Sequence, residues 1–160
     1  MVRNEFRKDI LFFALPALFV VFAGAGVCVW DLARRESFSL WSVHNVVGLV
    51  LIVIGLTSNL VAAGTLRRNY SSSLVVREGH QLITHGIYRF TRNPIYLGVI
   101  MVMLGMPIFI SSLVGFLVMS ALIPLVLIRI RIEEGMLEAE FGEAYREYKE
   151  KTRKLIPFIY

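Results

Sequence analysis

The sequence predicts an all-α, multi-pass transmembrane protein of about four spans, the third and fourth a tight hairpin, followed by an amphipathic helix at the cytosolic face. Three observations lead there. Of 160 residues, 56% are hydrophobic and only 18% charged, where a soluble domain carries about 25% charged residues. The apolar residues are gathered into long uncharged runs instead of being spread at amphipathic spacing. Basic residues flank those runs, which is the usual signal of membrane topology.

Span one is the uncharged run 10–30, rich in Phe, Leu, Val and Ala and long enough to cross about 30 Å of hydrocarbon at about 1.5 Å per residue. A signal peptide is the competing reading, because Arg3, Arg7 and Lys8 precede the run and Ala23-Gly24-Ala25 imitates a cleavage site. The run is longer than a usual signal core, and Glu5 and Asp9 interrupt its basic end, so the span is preferred. Span two, 41–64, opens on Trp41 and carries His44, Asn45, Thr57, Ser58 and Asn59 as polar members that should face protein and not lipid. The stretch from Ile95 to Ile128 is too long for one helix. Pro107 and Ser111-Ser112 interrupt it, giving spans three (95–110) and four (112–130) joined by a tight turn, with Pro124 kinking the second.

Three bases precede span one, two lie in the 31–40 loop, five in the 65–94 segment and seven from Arg129 onward. The positive-inside rule then puts both termini and the 65–94 segment in the cytosol, a parity that four spans satisfy. A bacterial or archaeal plasma membrane is the expected location. Over 133–154 the pattern changes: Leu137, Phe141, Tyr145 and Tyr148 recur at three- and four-residue steps among charges, which reads as an amphipathic helix.

The net charge of +5 is explained by this flanking pattern, so no nucleic-acid partner is expected. The single cysteine, Cys28, allows neither a disulfide framework nor a CxxC zinc site, and His80 and His85 lack a third ligand at metal spacing; no metal is expected. Gly24, Gly26, Gly48, Gly55 and Gly64 fit no phosphate-binding pattern and are read as helix-packing residues.

Polar chemistry gathers in two places, 80–98 and 129–134, both at the cytosolic ends of spans. In the first, Asn93-Pro94 is suited to start a helix, with Asn as cap and Pro in the first turn. In the second, Arg129 and Glu133 are four residues apart and share a helix face. An antiparallel return of spans three and four makes the two clusters neighbours. The bland alternative is that Arg129 and Arg131 anchor a span at the headgroups while Tyr88, Arg92 and Tyr96 snorkel to the interface.

The residues Gly86-x-Tyr88-Arg89-x-x-Arg92-Asn93-Pro94-x-Tyr96-x-Gly98, followed by Glu133-Glu134-x-x-Leu137-x-x-x-Phe141-Gly142-x-x-Tyr145-x-x-Tyr148, resemble those of the membrane-integral isoprenylcysteine carboxyl methyltransferases and their bacterial and phospholipid-methylating relatives. The resemblance covers about half the chain. It implies S-adenosylmethionine as cofactor, lined by His80, Gln81, Leu82, Ile83, Gly86 and Tyr88, with Asn93, Pro94, Ile95 and Tyr96 as the opposite wall. It also implies Glu133 as the cofactor-contacting acid, Arg129 as the substrate-contacting arginine, and Glu134 as a further catalytic candidate in the same site. Where eukaryotic members have His, this chain has Asn93, which hydrogen-bonds but cannot relay a proton near neutrality. The expected reaction is methyl transfer to a lipophilic acceptor drawn from the lipid bilayer, foremost the carboxylate of an isoprenylcysteine-like molecule. The alternatives are a phospholipid or lipid-amine N-methyltransferase, an NADPH-dependent sterol-type reductase, and a non-enzymatic membrane protein. The first 79 residues carry no recognisable substrate code.

Overall fold

The structure, a computed structural model, describes residues 13–35, 41–66 and 82–157. These form α1 (Leu15–Ala33), α2 (Val43–Leu66), a 3-10 turn (Gly86–Arg89), α3 (Pro94–Ile110), α4 (Leu113–Ser120), α5 (Leu122–Phe141) and α6 (Glu143–Lys151). The β contact among the described residues is one isolated parallel bridge, Thr91 to Arg153.

Helices α1 and α2 and the run Leu113–Phe141, of 19, 24 and 29 residues, are long and apolar enough to cross a membrane, and the 17-residue α3 is a shorter apolar helix. Their outward faces keep large side chains exposed, among them Phe19, Phe22, Leu60 and Leu117. A surface of this kind needs lipid as solvent.

The helices alternate in direction. At one end, Ser112 donates to Asp31 near the close of α1, Arg35 donates to the Ser111 carbonyl at 2.7 Å, and the Asn45 amide of α2 donates to the Phe109 carbonyl at 2.7 Å. The α3–α4 turn, the end of α1 and the start of α2 therefore sit together. At the other end, Ser58 of α2 donates to the carbonyl of Pro94, which opens α3, and Phe13, just before α1, lies over Arg129 of α5.

Lipid tails are as apolar as leucine, so spans gain little by burying leucine against each other and associate through close backbone packing. The α2–α3 seam shows this. A Cβ on Gly48 would lie 2.3 Å from the Phe109 nitrogen and 2.7 Å from the Gly105 oxygen, and one on Gly55 would lie 2.6 Å from the Gly98 oxygen. Gly24 is likewise filled by Met119 of α4. Gly26 does not fit the packing role expected of it: a Cβ there would meet nothing within 4 Å among the described residues.

The hairpin turn is tight as expected. Ser111 adopts a left-handed conformation at φ 58°, and Ser112 caps α4 by accepting from the Gly115 nitrogen at 2.9 Å. The expected kink at Pro124 appears as a break at Ala121 between α4 and α5. Proline has no N–H to return to the carbonyl four residues earlier, so it is tolerated where a helix restarts. The amphipathic helix expected over 133–154 is divided differently. Helix α5 runs without interruption through Glu133 and Glu134 to Phe141, and Gly142, at φ +54°, starts the separate α6.

Gly48→Ala should force the α2 and α3 backbones apart, costing about 1–3 kcal/mol. Gly26→Ala should be neutral or slightly stabilising. Thermal unfolding of the detergent-solubilised protein checks the contrast, and equal melting temperatures for the two variants would contradict the seam.

Candidate active site

Helix α5 carries the polar residues of the site on two adjacent faces. Glu133 and Glu134 are consecutive, so their side chains diverge by about 100° around the axis, and each meets a different arginine.

On one face, Arg129 Nε donates to the Tyr96 hydroxyl at 2.7 Å and to Glu133 Oε1 at 3.0 Å. The Tyr96 hydroxyl in turn donates to Glu133 Oε1 at 2.6 Å. Arg129 is buried at 6% exposure, whereas the Glu133 side chain keeps 28%. The expected one-turn spacing of Arg129 and Glu133 thus forms an ion pair, and α3 contributes Tyr96 to it. The guanidinium carbon stands 4.3 Å from the centroid of the Phe13 ring.

On the other face, Glu134 Oε1 accepts from Arg92 Nε at 2.9 Å, and Lys154 Nζ stands 3.6 Å from Glu134 Oε2. Arg92 Nη1 also donates to the carbonyls of Lys149 at 3.0 Å and Thr152 at 2.6 Å, at the C-terminal end of α6 where cations are favoured. The neighbours of Arg92 complete the grip. The Arg92 nitrogen donates to the Arg153 carbonyl at 2.8 Å, Thr91 Oγ1 to the Leu155 carbonyl at 2.8 Å, and Asn93 Nδ2 to the Lys154 carbonyl at 2.8 Å. Tyr148 of α6 donates to the Tyr88 carbonyl at 2.7 Å. Burial pushes the phenols of Tyr148 and Tyr145 well above the ordinary tyrosine value.

The residues expected to line a cofactor are distributed as follows. His80 and Gln81 lie outside the described residues. Leu82 and Ile83 are half-buried in a stretch with no regular structure, Tyr88 and Pro94 are buried, and Ile95 is half-buried. Gly86 is exposed and adopts φ +63°, with Thr65 of α2 3.1 Å from where a Cβ would stand, so a side chain there would be both strained and crowded. Asn93 stands at the N-cap of α3 as expected, but its side chain makes no cap bond. Its amide is drawn instead to the Lys154 carbonyl, while Pro94 takes the first turn. Arg92, read as a possible snorkeller, is the hub of the C-terminal dock. A polar run Thr91-Arg92-Asn93 directly ahead of a helix-starting proline was the available signal. Among the described residues no group of three His, Cys, Asp or Glu side chains is placed to hold a metal.

The profile described as phospholipid methyltransferase matches residues 43–144, which takes in α2, α3, α4, α5 and both polar clusters. The chain belongs to the phospholipid methyltransferase family. It is similar to a probable protein-S-isoprenylcysteine O-methyltransferase of Oryza sativa subsp. indica, 31% identical over 116 residues, covering 71% of this chain and 61% of the relative. It is similar also to protein-S-isoprenylcysteine O-methyltransferase A of Arabidopsis thaliana, 30% identical over 122 residues, covering 74% and 61%. The match thus spans about three fifths of these relatives' length. The structure of a eukaryotic intramembrane Ras methyltransferase, isoprenylcysteine carboxyl methyltransferase, shares the fold at a TM-score of 0.74 and 21% identity, over 98% of this chain and 62% of that one. Together with the exposed apolar helices, this makes the phospholipid methyltransferase family member described here an integral membrane protein. The relatives named are eukaryotic and lend nothing to the expectation of a prokaryotic membrane.

Arg92→Ala removes one partner of a buried ion pair and strands several carbonyls, a loss of about 3–5 kcal/mol. Trypsin should then cut after Lys149 or Lys151 far faster than in the wild type; an unchanged cleavage rate would show that the dock does not depend on Arg92. The docked phenols stay neutral, whereas a released tyrosine ionises at about pH 10. Docking should therefore be complete below about pH 10 and weaken as pH rises beyond it. The same digestion run from neutral to alkaline pH reads this, and Tyr145→Phe with Tyr148→Phe should flatten the alkaline limb.

Proposed function

We propose that the chain transfers a methyl group from S-adenosylmethionine to the carboxylate of a lipophilic, isoprenylcysteine-like acceptor. The observation that carries this reading is the Tyr96–Arg129–Glu133 cluster: one guanidinium and one carboxylate held side by side where α3 and α5 meet. The relatives' names support the same chemistry.

The donor set fits the cofactor. Glu133 offers a carboxylate to a hydroxyl or ammonium group, Leu82 and Ile83 offer apolar surface to a nucleoside, and Tyr88 backs that wall. S-adenosylmethionine held there would supply an electrophilic methyl on a sulfonium, and as the acceptor carboxylate oxygen bonded to that carbon the C–S electron pair would leave with the thioether. Arg129 binds the acceptor carboxylate and orients one oxygen, since a guanidinium fork matches a carboxylate in plane. Proximity and orientation supply most of the acceleration. A carboxylate nucleophile needs no general base, so Glu134 is not required as one; its contacts with Arg92 and Lys154 assign it to holding the C-terminal segment against the site.

The chain crosses the bilayer four times, by α1, α2, α3 and the α4–α5 run. Both termini and the site lie on the cytosolic side, as the distribution of basic residues suggests. The acceptor reaches Arg129 from the bilayer.

A second reading, methylation of a lipid amine, is favoured by the description of the matching family. An ammonium acceptor must first lose a proton, and both candidate bases, Glu133 and Glu134, are already engaged by arginines.

Purified protein incubated with methyl-labelled S-adenosylmethionine should label a prenylated thioether acid, with a rate flat on the alkaline side of neutrality. Arg129→Ala should reduce that turnover by about 30-fold or more, the cost of losing a charged partner. Labelling of phosphatidylethanolamine alone, with a rate that climbs with pH, would establish the amine reading. Full turnover by Arg129→Ala would remove the assignment of that residue.

A further inference from the structure

We infer that Phe13, at the entry to α1, is a positioning residue for Arg129: the guanidinium lies over its ring, and this contact holds the group where it meets an acceptor carboxylate. The inference rests on the reading of Arg129 as the acceptor-binding residue.

The guanidinium carbon is 4.3 Å from the Phe13 ring centroid, and Arg129 is 6% exposed. A ring face carries negative electrostatic potential and attracts a cation, more strongly where water is excluded. A ring held this close removes water from one side of the guanidinium and restricts its movement. The Nε edge is fixed separately by Tyr96 and Glu133. Two restraints of different kind, the ring beside the cation and the hydrogen bonds at Nε, limit where the group can move.

Phe13 is not placed by chance. From Gly24 onward, helix α1 is pinned to α4 and its preceding turn. The Met119 side chain fills the space beside Gly24, with its Cε 2.7 Å from where a Cβ would stand. Ser112 holds Asp31, and Arg35 holds the Ser111 carbonyl. These contacts set the height and rotation of α1, and through them where its first residues meet α5. The first span is thereby joined to the chemistry of the last.

Phe13→Leu keeps an apolar side chain but removes the ring. It should raise the KM for the prenylated acid about tenfold, with kcat and the KM for S-adenosylmethionine within about twofold of wild type. Phe13→Tyr and Phe13→Trp, which restore a ring, should recover the wild-type KM. An unchanged acceptor KM in Phe13→Leu would overturn the inference. So would a fall in kcat with a rise in both KM values that neither aromatic variant repairs, because that pattern marks a loss of fold. A second measurement does not need turnover: an arginine-selective dicarbonyl reagent should modify Arg129 several-fold faster in Phe13→Ala than in wild type, read by peptide mass spectrometry, and equal rates would overturn the contact. Arg129→Ala measured alongside separates the two ideas. If it abolishes acid turnover while Phe13→Leu is silent, only the role of Phe13 is lost. If it leaves turnover intact, the functional reading falls, and the labelling still reports on the ring.

Discussion

The contact on which the structure most depends is the backbone approach of α2 and α3. Gly48 meets Gly105 and Phe109, and Gly55 meets Gly98, at distances that leave no room for a Cβ. In lipid, such approach replaces the burial of leucine as the source of helix association. It fixes α3 as a rigid post. The two ends of α3 are where everything else is attached: Pro94 and Tyr96 at the site, and the turn after Ile110 at the far side, where Asn45 and Arg35 take hold of the Phe109 and Ser111 carbonyls.

Helix α5 is then fastened to that post by two carboxylates pointing apart. Glu133 engages Tyr96 and Arg129, and Glu134 engages Arg92 and Lys154. Neighbouring acids on a helix look redundant in sequence, but in three dimensions they divide labour. The first is partly open, beside Arg129 and Tyr96. The second is buried and belongs with the docking of α6. Arg92 is what makes the second arrangement tolerable, since a carboxylate buried at this depth without a cation would cost several kcal/mol.

Much of this was legible in the sequence. Uncharged runs fix where helices cross a bilayer, and Arg129 and Glu133 are one turn apart, so their pairing follows from helical geometry alone. The tight turn at Ser111-Ser112 and the discontinuity near Pro124 were also readable, because serine and proline act on their own backbone. What was not readable depended on distant partners. Asn93 has the composition of a helix cap, yet its amide finds the Lys154 carbonyl, 61 residues away. The end of α5 was misplaced because the onset of charge at Glu133 looks like a boundary, whereas the helix continues to Gly142, where the backbone turns to positive φ. Gly26 looked the same as Gly24 but lies on the other side of α1, away from Met119. Phe13 carried no signal, since an aromatic residue near the start of a span is ordinary, and only the return of α5 gives it a cation to cover.

The grip of residues 91–93 on the C-terminal segment is made almost wholly with peptide carbonyls, those of Lys149, Thr152, Arg153, Lys154 and Leu155. Every amino acid presents that same oxygen. A clasp that reads main chain leaves the side chains of the clasped stretch largely unconstrained by it. Over evolutionary time the outward side chains of this stretch can change while the clasp is kept, leaving Leu155 in the core and Lys154 beside Glu134 as the positions held by their own side chains.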